Sequence, residues 1–328
     1  MYLLCSGGSF RTRIDRHLVQ DGTTSTAVHG SFVEEGDHDK AGMATSASAV
    51  GVGIELGDGK AMTLDGARVR DRMQLVDHAP CIAFTHNDLE FVDGGPDRRR
   101  WYFNQTMAML DPLFMEQHRR YRRALRARNT LLRAQEMDQV PLYDPQLVAA
   151  GREITQQRGR LVEQISGVIE ELFVAVAGIE RVALRYRPSW SIDSDADQVT
   201  ARLQEQRGHD RHMRTTTSGP HRDEFVLLLD RARFAVQGST GQRRLASLIL
   251  RVAQGRFFQQ LTGRRPLLLL DDVLLELDAE KRAHFVAHLP DAAQMFFTFL
   301  PDEAYPRYAR DDTVTYRVTA GSFQREAP

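Results

Sequence analysis

The chain has 328 residues, 42% of them hydrophobic, and a formal net charge of −1. It contains no apolar run near the roughly 18 residues that a membrane span needs, and a near-neutral chain can bind nucleic acid only through a local basic patch. Two cysteines, Cys5 and Cys81, are too few for a disulfide framework, and the first residues lack a secretory signal. These features predict a soluble cytoplasmic protein.

The first part of the chain predicts a helix end followed by antiparallel strands. Residues 2–4 are apolar and precede the loop Ser-Gly-Gly-Ser, as at the end of a helix. Between residues 27 and 67 short alternating segments flank a tight turn at residues 57–59, which indicates a β-hairpin. Residues 79–89 predict a buried strand that leads into a polar loop.

The middle of the chain is helical and strongly charged. Residues 98–135 predict helices with a break at Pro112, and residues 144–176 carry apolar side chains at helical spacing. A strand over residues 182–190 and a helix over residues 195–206 follow.

The last part alternates strand-like and helix-like segments, namely EFVLLLD, LASLILRVAQGRFFQQL, LLLLDD, AEKRAHFVAHL and MFFTF. Such alternation predicts a parallel sheet covered by helices. Because sheet-forming segments lie at both ends, the simplest architecture is one α/β lobe made from both termini with a helical lobe inserted into it. We expect the boundaries at residues 1–111, 112–206 and 207–328.

Two adjacent carboxylates, Asp271 and Asp272, follow four leucines in the segment RPLLLLDDVLLELD. An apolar run without alternation is typical of a parallel strand covered on both faces, and ligands of open α/β sheets bind at the carboxyl ends of strands. Asp271 is therefore a candidate ligand of Mg²⁺, and Asp272 is a candidate base for an attacking water. The alternative is an ordinary strand whose terminal acids cap the next helix.

A second candidate site is the small polar loop GSTGQRR, which contains Ser239 and precedes an amphipathic helix. The backbone N–H groups and the dipole at such a helix start can bind an anion. Downstream, Asp278 stands at another helix start, where it could simply be a cap. Loop plus helix, acidic strand and capped turn follow the order of the signature, Walker B and D-loop motifs of ABC-type ATPase heads.

Longer segments narrow the resemblance. TTTSGPHRDEF, QGSTGQRR and LLLLDDVLLELD resemble the C-terminal half of the RecF family of bacterial recombination and repair ATPases. FTHNDLEFVDGGPDRRRWYFNQ, RYRRALRARNTLL and YLLCSGGSFRT resemble further segments of that family, so the similarity covers essentially the whole chain. It implies an α/β fold of the ABC-ATPase head type, with a P-loop NTPase-like sheet, covering helices and an inserted helical lobe.

Some positions depart from the family pattern. Leu275 replaces the usual serine of a turn that contacts the dimer partner, which puts that contact in doubt. His86 and Asn104 replace a proline and an aspartate, with no consequence that the sequence reveals. Phe299 and Leu300 stand where related heads carry a switch histidine or a polar run, and they cannot act as hydrogen-bonding switches.

The resemblance implies a homodimer that closes with ATP and Mg²⁺ between its subunits. Asp271 would bind Mg²⁺ and Asp272 would act as the base. The other nucleotide-binding positions that it implies are Ser239, Gly241, Gln242, Arg243 and Asp278. The dimer is expected to clamp double-stranded and gapped DNA near single-strand junctions, and with RecO and RecR to support RecA loading and the SOS response.

The phosphate-binding loop of such an ATPase, G-x-x-x-x-G-K-S/T, is not found in the sequence. The three lysines do not fit it, because Lys60 belongs to the predicted hairpin and Lys40 and Lys281 lack the pattern. Since the family's loop lies just before the segment that matches Tyr2, we expect Met1 to be an internal start, and we expect no ATP hydrolysis by this chain.

Two other interpretations remain. The chain could be a degenerate, non-hydrolysing DNA-binding or scaffold homologue that has lost nucleotide binding. A chromosome-maintenance relative would carry long coiled-coil arms, and no heptad run here is long enough for them.

A basic helical segment is a candidate DNA interface. Its arginines recur on successive helix turns at Arg119, Arg120, Arg122, Arg123, Arg126 and Arg128. Guanidinium groups suit phosphates, and such contacts are independent of base sequence and sensitive to salt. The alternative is a solvated helix whose arginines pair with acids.

Overall fold

The N-terminal region is a short helix packed on an antiparallel sheet. The computed structural model describes residues 1–12, 14–33, 47–57, 59–274, 277–300 and 308–326. Helix α1 (Tyr2–Ser6) ends at Gly7, whose φ of 63° is the left-handed cap that glycine favours. Strands β1 (Ser25–Val33), β2 (Ala47–Glu55), β3 (Gly59–Leu64) and β4 (Ala67–Arg68) form a sheet in that order. The predicted helix end and hairpin are confirmed.

A three-stranded parallel sheet carries the acidic pair. Its strands are β5 (Cys81–Phe84), β9 (Leu267–Asp271) and β10 (Gln294–Thr298), with β9 in the centre, and helix α2 (Met73–His78) precedes β5. The register places Cys81 beside Leu267 and Thr298 beside Asp271. The four leucines of β9 are buried, as expected for a central parallel strand.

A third sheet corrects one expectation. Strand β7 (Glu224–Leu229), the segment EFVLLLD, does not join the parallel sheet but pairs antiparallel with β6 (Val182–Arg187) and β8 (Ala232–Arg233). Asp230 and Arg231 both have positive φ and turn the chain directly back into β8. Strand–helix alternation reveals the type of each element but not its partner.

The helices lie mainly in the middle of the chain. Asp111 caps α4 with its carboxylate on the amide of Leu113, so the predicted break at Pro112 is confirmed. Helix α6 continues beyond residue 206 to Met213, so the expected boundary at 206/207 falls inside it. The bounds are α3 Pro96–Leu110, α4 Pro112–Ala134, α5 Asp144–Ala177, α6 Ala196–Met213, α7 Phe234–Gln237, α8 Thr240–Thr262 and α9 Ala279–Ala287.

One hydrophobic core joins the sheet to the helical block. Ile82 and Leu270 of the parallel sheet belong to the same buried cluster as Ile165 and Leu172 of α5 and Phe285 of α9. A hairpin of β11 (Tyr316–Thr319) and β12 (Ser322–Arg325) ends the described chain on the surface. Within the described ranges, no helix has both the length and the apolar character to cross a membrane.

Candidate nucleotide-binding edge and arginine surfaces

The acidic pair lies at the carboxyl end of β9. Asp271 is the last residue of the strand, and Asp272 follows with a φ of 53°, a left-handed conformation that turns the chain away from the sheet. The hydroxyl of Thr298, at the end of β10, lies 3.3 Å from Oδ1 of Asp271 and 3.1 Å from Oδ1 of Asp272. The sequence alone does not indicate Thr298, because only the register of β10 against β9 brings it beside Asp271 and Asp272.

Arg11 pairs with Asp271 across the same edge. Its Nη2 lies 3.0 Å from Oδ1 and 2.9 Å from Oδ2 of that carboxylate, and its side chain is 71% exposed. This contact was also missed, and the one available signal was the place of Arg11 in the stretch YLLCSGGSFRT. A cation that binds Asp271 must displace the Arg11 guanidinium or share the carboxylate with it. Breaking this ion pair costs little free energy, because the guanidinium is exposed to water.

The Ser239 loop is a complete helix start. Ser239 caps α8, with its hydroxyl accepting from the amide of Gln242 at 3.2 Å and the Gln242 side chain accepting from the amide of Ser239 at 2.8 Å. The backbone N–H groups of Thr240 and Gly241 have no acceptor carbonyl within the helix, because no helical turn precedes them. They point out of the helix end, as in an anion-binding site. Arg243 is held by Asp93, with 3.0 Å between Nη1 and Oδ2.

The Ser239 loop and the acidic pair lie at the same edge of the parallel sheet. Arg244, in the first turn of α8, donates to the carbonyl of His86 at 3.0 Å, just beyond the carboxyl end of β5. Further along α8, Gly255 lies against Ile82 within β5. Helix α8 therefore runs antiparallel to β5 and β9, and its N-terminus points to the edge where Asp271 and Asp272 emerge.

A buried ion pair fixes α8 to this edge. Nη2 of Arg251 donates to Oδ1 of Asp88 at 2.8 Å, and the guanidinium lies 4.6 Å from the ring centroid of Phe91. Burial lowers the pKa of Arg251, but the charge of Asp88 and its hydrogen bond outweigh this, so the pKa is raised overall. The pair ties the middle of α8 to the segment that follows β5.

Asp278 is a helix cap in this structure. Its Oδ1 accepts from the amide of Lys281 at 2.9 Å and its Oδ2 contacts the Lys281 ammonium at 2.6 Å. The hydrogen bond from Lys281 lowers the pKa of Asp278. Leu275 lies outside the described residues.

The oxygens at the edge suit Mg²⁺ only in part. Two carboxylates and a hydroxyl are hard ligands of the kind that Mg²⁺ takes, usually together with substrate phosphates. Within the described ranges no group of three or more His, Cys, Asp or Glu side chains could hold a metal. Lys60 is engaged elsewhere, because its Nζ donates to the carbonyl of Gly7 at 2.7 Å and lies 2.7 Å from Asp15.

Five of the six predicted DNA-binding arginines lie on the surface of α4. We call them the α4 arginine patch: Arg119, Arg120, Arg122, Arg123 and Arg126, all exposed. Arg119 forms an ion pair with Asp71, whose pKa it lowers, and Arg120 pairs with Glu116. Three members of the patch have no ion pair with a described acidic residue.

Arg128 corrects the prediction, because it is fully buried. Its Nε donates to Asp144 at 2.8 Å, and its Nη1 donates to Asp210 at 2.7 Å and to Thr216 at 2.9 Å. Arg128 therefore ties α4 to α5 and α6 and cannot contact DNA. Spacing along α4 placed it with the patch, whereas its acidic partners are distant in sequence.

The family departures have structural partners. Asn104 accepts from Nη2 of Arg158 at 2.9 Å, and Nη1 of Arg158 pairs with Asp223 at 2.7 Å. His86 accepts the Arg244 contact described above, and Phe299 stacks on Tyr308 with ring centroids 5.6 Å apart.

Curated relatives and solved structures point to one family. No family model matches the chain. It is 35% identical over 322 residues to the DNA replication and repair protein RecF of Treponema pallidum, covering 98% of this chain and 89% of the relative. It is 30% identical over 308 residues to RecF of Gloeobacter violaceus, covering 90% and 80%.

A solved structure shows the same fold. It is described as the recombination mediator protein RecF with ATP in the RecFOR pathway, and it matches with a TM-score of 0.85 at 22% identity, over 99% of this chain and 86% of that one. The predicted fold class, an α/β head of the ABC-ATPase type with an inserted helical lobe, is confirmed.

Proposed function

The chain belongs to the RecF family, and from that premise we propose that it is a DNA replication and repair protein that binds DNA phosphates and closes as a homodimer around ATP. It would act in the cytoplasm at single-strand gaps and duplex junctions. With RecO and RecR it would support RecA loading and the SOS response. The description of the solved relative as part of the RecFOR pathway supports these partners.

The observation that carries the proposal is the shared edge of Asp271, Asp272 and the Ser239 loop. Two subunits that meet head to tail at this edge would set the acids of one against the helix start of the other. The outward amides of Thr240 and Gly241 then suit a γ-phosphate, with Gln242 and Arg243 beside them. Closure would act as a switch, because these contacts exist only in the dimer.

Each residue at the edge has a chemical role in this proposal. Asp271 would hold Mg²⁺, which neutralises phosphate charge, once Arg11 swings off the carboxylate. Asp272 would accept a proton from the attacking water if a phosphate-binding loop, a pattern not found in this sequence, held the ATP, and the Thr298 hydroxyl lies beside both carboxylates. Asp278 would fix the start of α9 beside the dimer contact.

A second candidate is a DNA-binding homologue that does not hydrolyse ATP. The sequence has no G-x-x-x-x-G-K-S/T pattern, and Lys60 is engaged by Gly7 and Asp15. DNA binding is common to both candidates, so it is the function to test first.

The test replaces part of the α4 arginine patch. One variant changes four patch arginines to Gln, namely Arg119, Arg122, Arg123 and Arg126. We expect it to bind a gapped duplex more weakly. The slope of log affinity against log salt concentration should become shallower by about 0.9 per lost phosphate contact. The matched control changes four exposed, ion-paired arginines elsewhere: Arg160, Arg181, Arg264 and Arg317. Fluorescence anisotropy across a salt series measures both, and equal slopes for the two variants would argue against the patch.

A further inference from the structure

A second concentration of positive charge surrounds one glutamate on the outer face of the β6–β7–β8 sheet. Glu224 lies 2.7 Å from Nη2 of Arg233, 3.8 Å from Nη2 of Arg99 and 4.0 Å from Nη1 of Arg187. We call these four residues the Glu224 cluster. Three guanidinium groups share one carboxylate, so the cluster carries a positive surplus.

The surplus is visible at Arg99. Its side chain is only 11% exposed, and its Nε is buried without a hydrogen-bond partner among the described residues. Burial lowers the pKa of Arg99, and the neighbouring charges of Arg233 and Arg100 lower it further against the opposing effect of Glu224. A further anion would relieve this repulsion.

Strand register explains why the cluster faces outward. Arg187 pairs with Glu224, Arg185 pairs with Val226, and Arg233 pairs with Leu228, so these six side chains share one face of the sheet. The opposite face packs Tyr186 and Phe225 into the core with ring centroids 4.9 Å apart. Val226 is buried within this face, and none of the five residues around it is aromatic, whereas protein interfaces rely on exposed aromatic anchors.

The cluster adjoins the start of α8. Arg99 donates to the carbonyl of Gly94 at 2.6 Å, and the preceding residue, Asp93, holds Arg243 of the Ser239 loop. A partner on the cluster would therefore lie beside the edge at which the proposed dimer closes.

We propose that the Glu224 cluster binds phosphates of the DNA backbone, with Arg187 and Arg233 as the contacting groups and Glu224 as the carboxylate with which the phosphates compete for these arginines. This inference rests on the proposed function. Guanidinium forks contact phosphate oxygens in pairs and independently of base sequence. Bound DNA would satisfy charges that Glu224 alone does not balance.

The experiment measures fluorescence anisotropy of duplex DNA with two opposed variants. Arg187→Gln with Arg233→Gln should weaken binding about tenfold near 100 mM salt and lower the salt slope by about 2. Glu224→Gln removes the competing carboxylate and should tighten binding about threefold. If the cluster were purely structural, the arginine variant and Glu224→Gln would change the DNA affinity in the same direction, because each leaves charged groups of the cluster unpaired.

The outcomes separate this inference from the proposed function. Arg264→Gln with Arg317→Gln is the matched control and should bind like the wild type. If the wild type binds DNA and neither variant changes its affinity, the proposed role of the Glu224 cluster is overturned and the proposed function stands. Absence of DNA binding by the wild type would overturn both. If Arg187→Gln with Arg233→Gln lost binding to a polyglutamate peptide but kept its binding to DNA, the cluster would be assigned to an acidic protein partner instead.

Discussion

The arginines of this chain fall into buried ones, which stabilise the fold, and exposed ones. Arg128, Arg158 and Arg251 are each nearly or fully buried and each pairs with a carboxylate at 2.8 Å or less. A buried charge that loses its partner is costly, whereas an exposed pair contributes little. Burial rather than residue type therefore separates the structural arginines from the exposed arginines proposed to bind DNA.

Helix α4 offers a direct comparison of the two kinds of arginine. Arg128→Met should lower the free energy of unfolding by about 3–5 kcal/mol, because Asp144 and Asp210 stay buried without their main partner. Arg120→Met, which breaks only the exposed pair with Glu116, should change it by less than about 1 kcal/mol. Urea unfolding of both variants measures the difference, and equal losses would contradict the assignment of Arg128.

Two half-buried histidines, His118 and His221, predict a loss of stability in mild acid. Burial lowers the pKa of His118 and of His221 from 6.5 to about 4. Between these values the unfolded chain takes up protons that the folded chain does not, so stability falls as pH drops from 6.5 toward 4. At pH 5 each histidine should cost about 2 kcal/mol relative to pH 7.

The histidine prediction has a matched variant. His118→Gln can still accept from the Asn104 amide, as the Nε2 of His118 does at 3.3 Å, and should remove about half of this pH dependence. The exposed His209→Gln is the control. Urea titrations at pH 7 and pH 5 measure the effect, and an undiminished pH dependence in His118→Gln would count against a neutral His118 ring in the folded chain at pH 5.

At the scale of elements, two of the three glycines in α5 have opposite surroundings. Gly151 is buried where an added Cβ would lie 2.4 Å from Trp190 and 3.0 Å from Tyr121, whereas Gly167 is exposed with nothing within 4 Å. The close approach of α5 to Trp190 requires the first glycine, and nothing in the fold requires the second.

Alanine at each glycine should therefore have opposite effects. Gly167→Ala should raise the free energy of unfolding by about 0.5–1 kcal/mol through helix propensity. Gly151→Ala should lower it by about 1–3 kcal/mol, because overpacking exceeds the propensity gain. Thermal unfolding of the two variants decides, and stabilisation by Gly151→Ala would show that Trp190 can move.

Local features were predictable from the sequence and long-range partners were not. Pro112, Ser239 and Asp278 were identified because caps and breaks depend on neighbouring residues. The pairing of β7, the contacts of Arg11 and Thr298 with the acids, and the burial of Arg128 depend on residues far away in the chain. The family resemblance supplied the architecture that periodicity alone leaves open.

At the scale of the whole molecule, the helical block is not an independent unit. Helix α5 contributes to the same core as the parallel sheet, α8 and α9. The arginine surfaces on α4 and beside Glu224 and the acidic edge are therefore carried by one packed body.

Nucleotide turnover tests the acidic edge. We expect no ATP hydrolysis by the purified chain with Mg²⁺, because no lysine of the sequence stands in a phosphate-binding loop and Lys60 is already engaged. Phosphate release is the measurement, with Asp272→Asn as the control. Metal-dependent turnover that Asp272→Asn abolishes would refute this expectation.

The most direct test of the account is the salt dependence of binding to a gapped duplex by the unmodified chain. If the α4 arginine patch and the Glu224 cluster contact phosphates, the logarithm of the affinity should fall against the logarithm of the salt concentration with a slope of about −5 or steeper, since each contact contributes about 0.9. No binding at about 50 mM salt, or binding with a slope near zero, would contradict it.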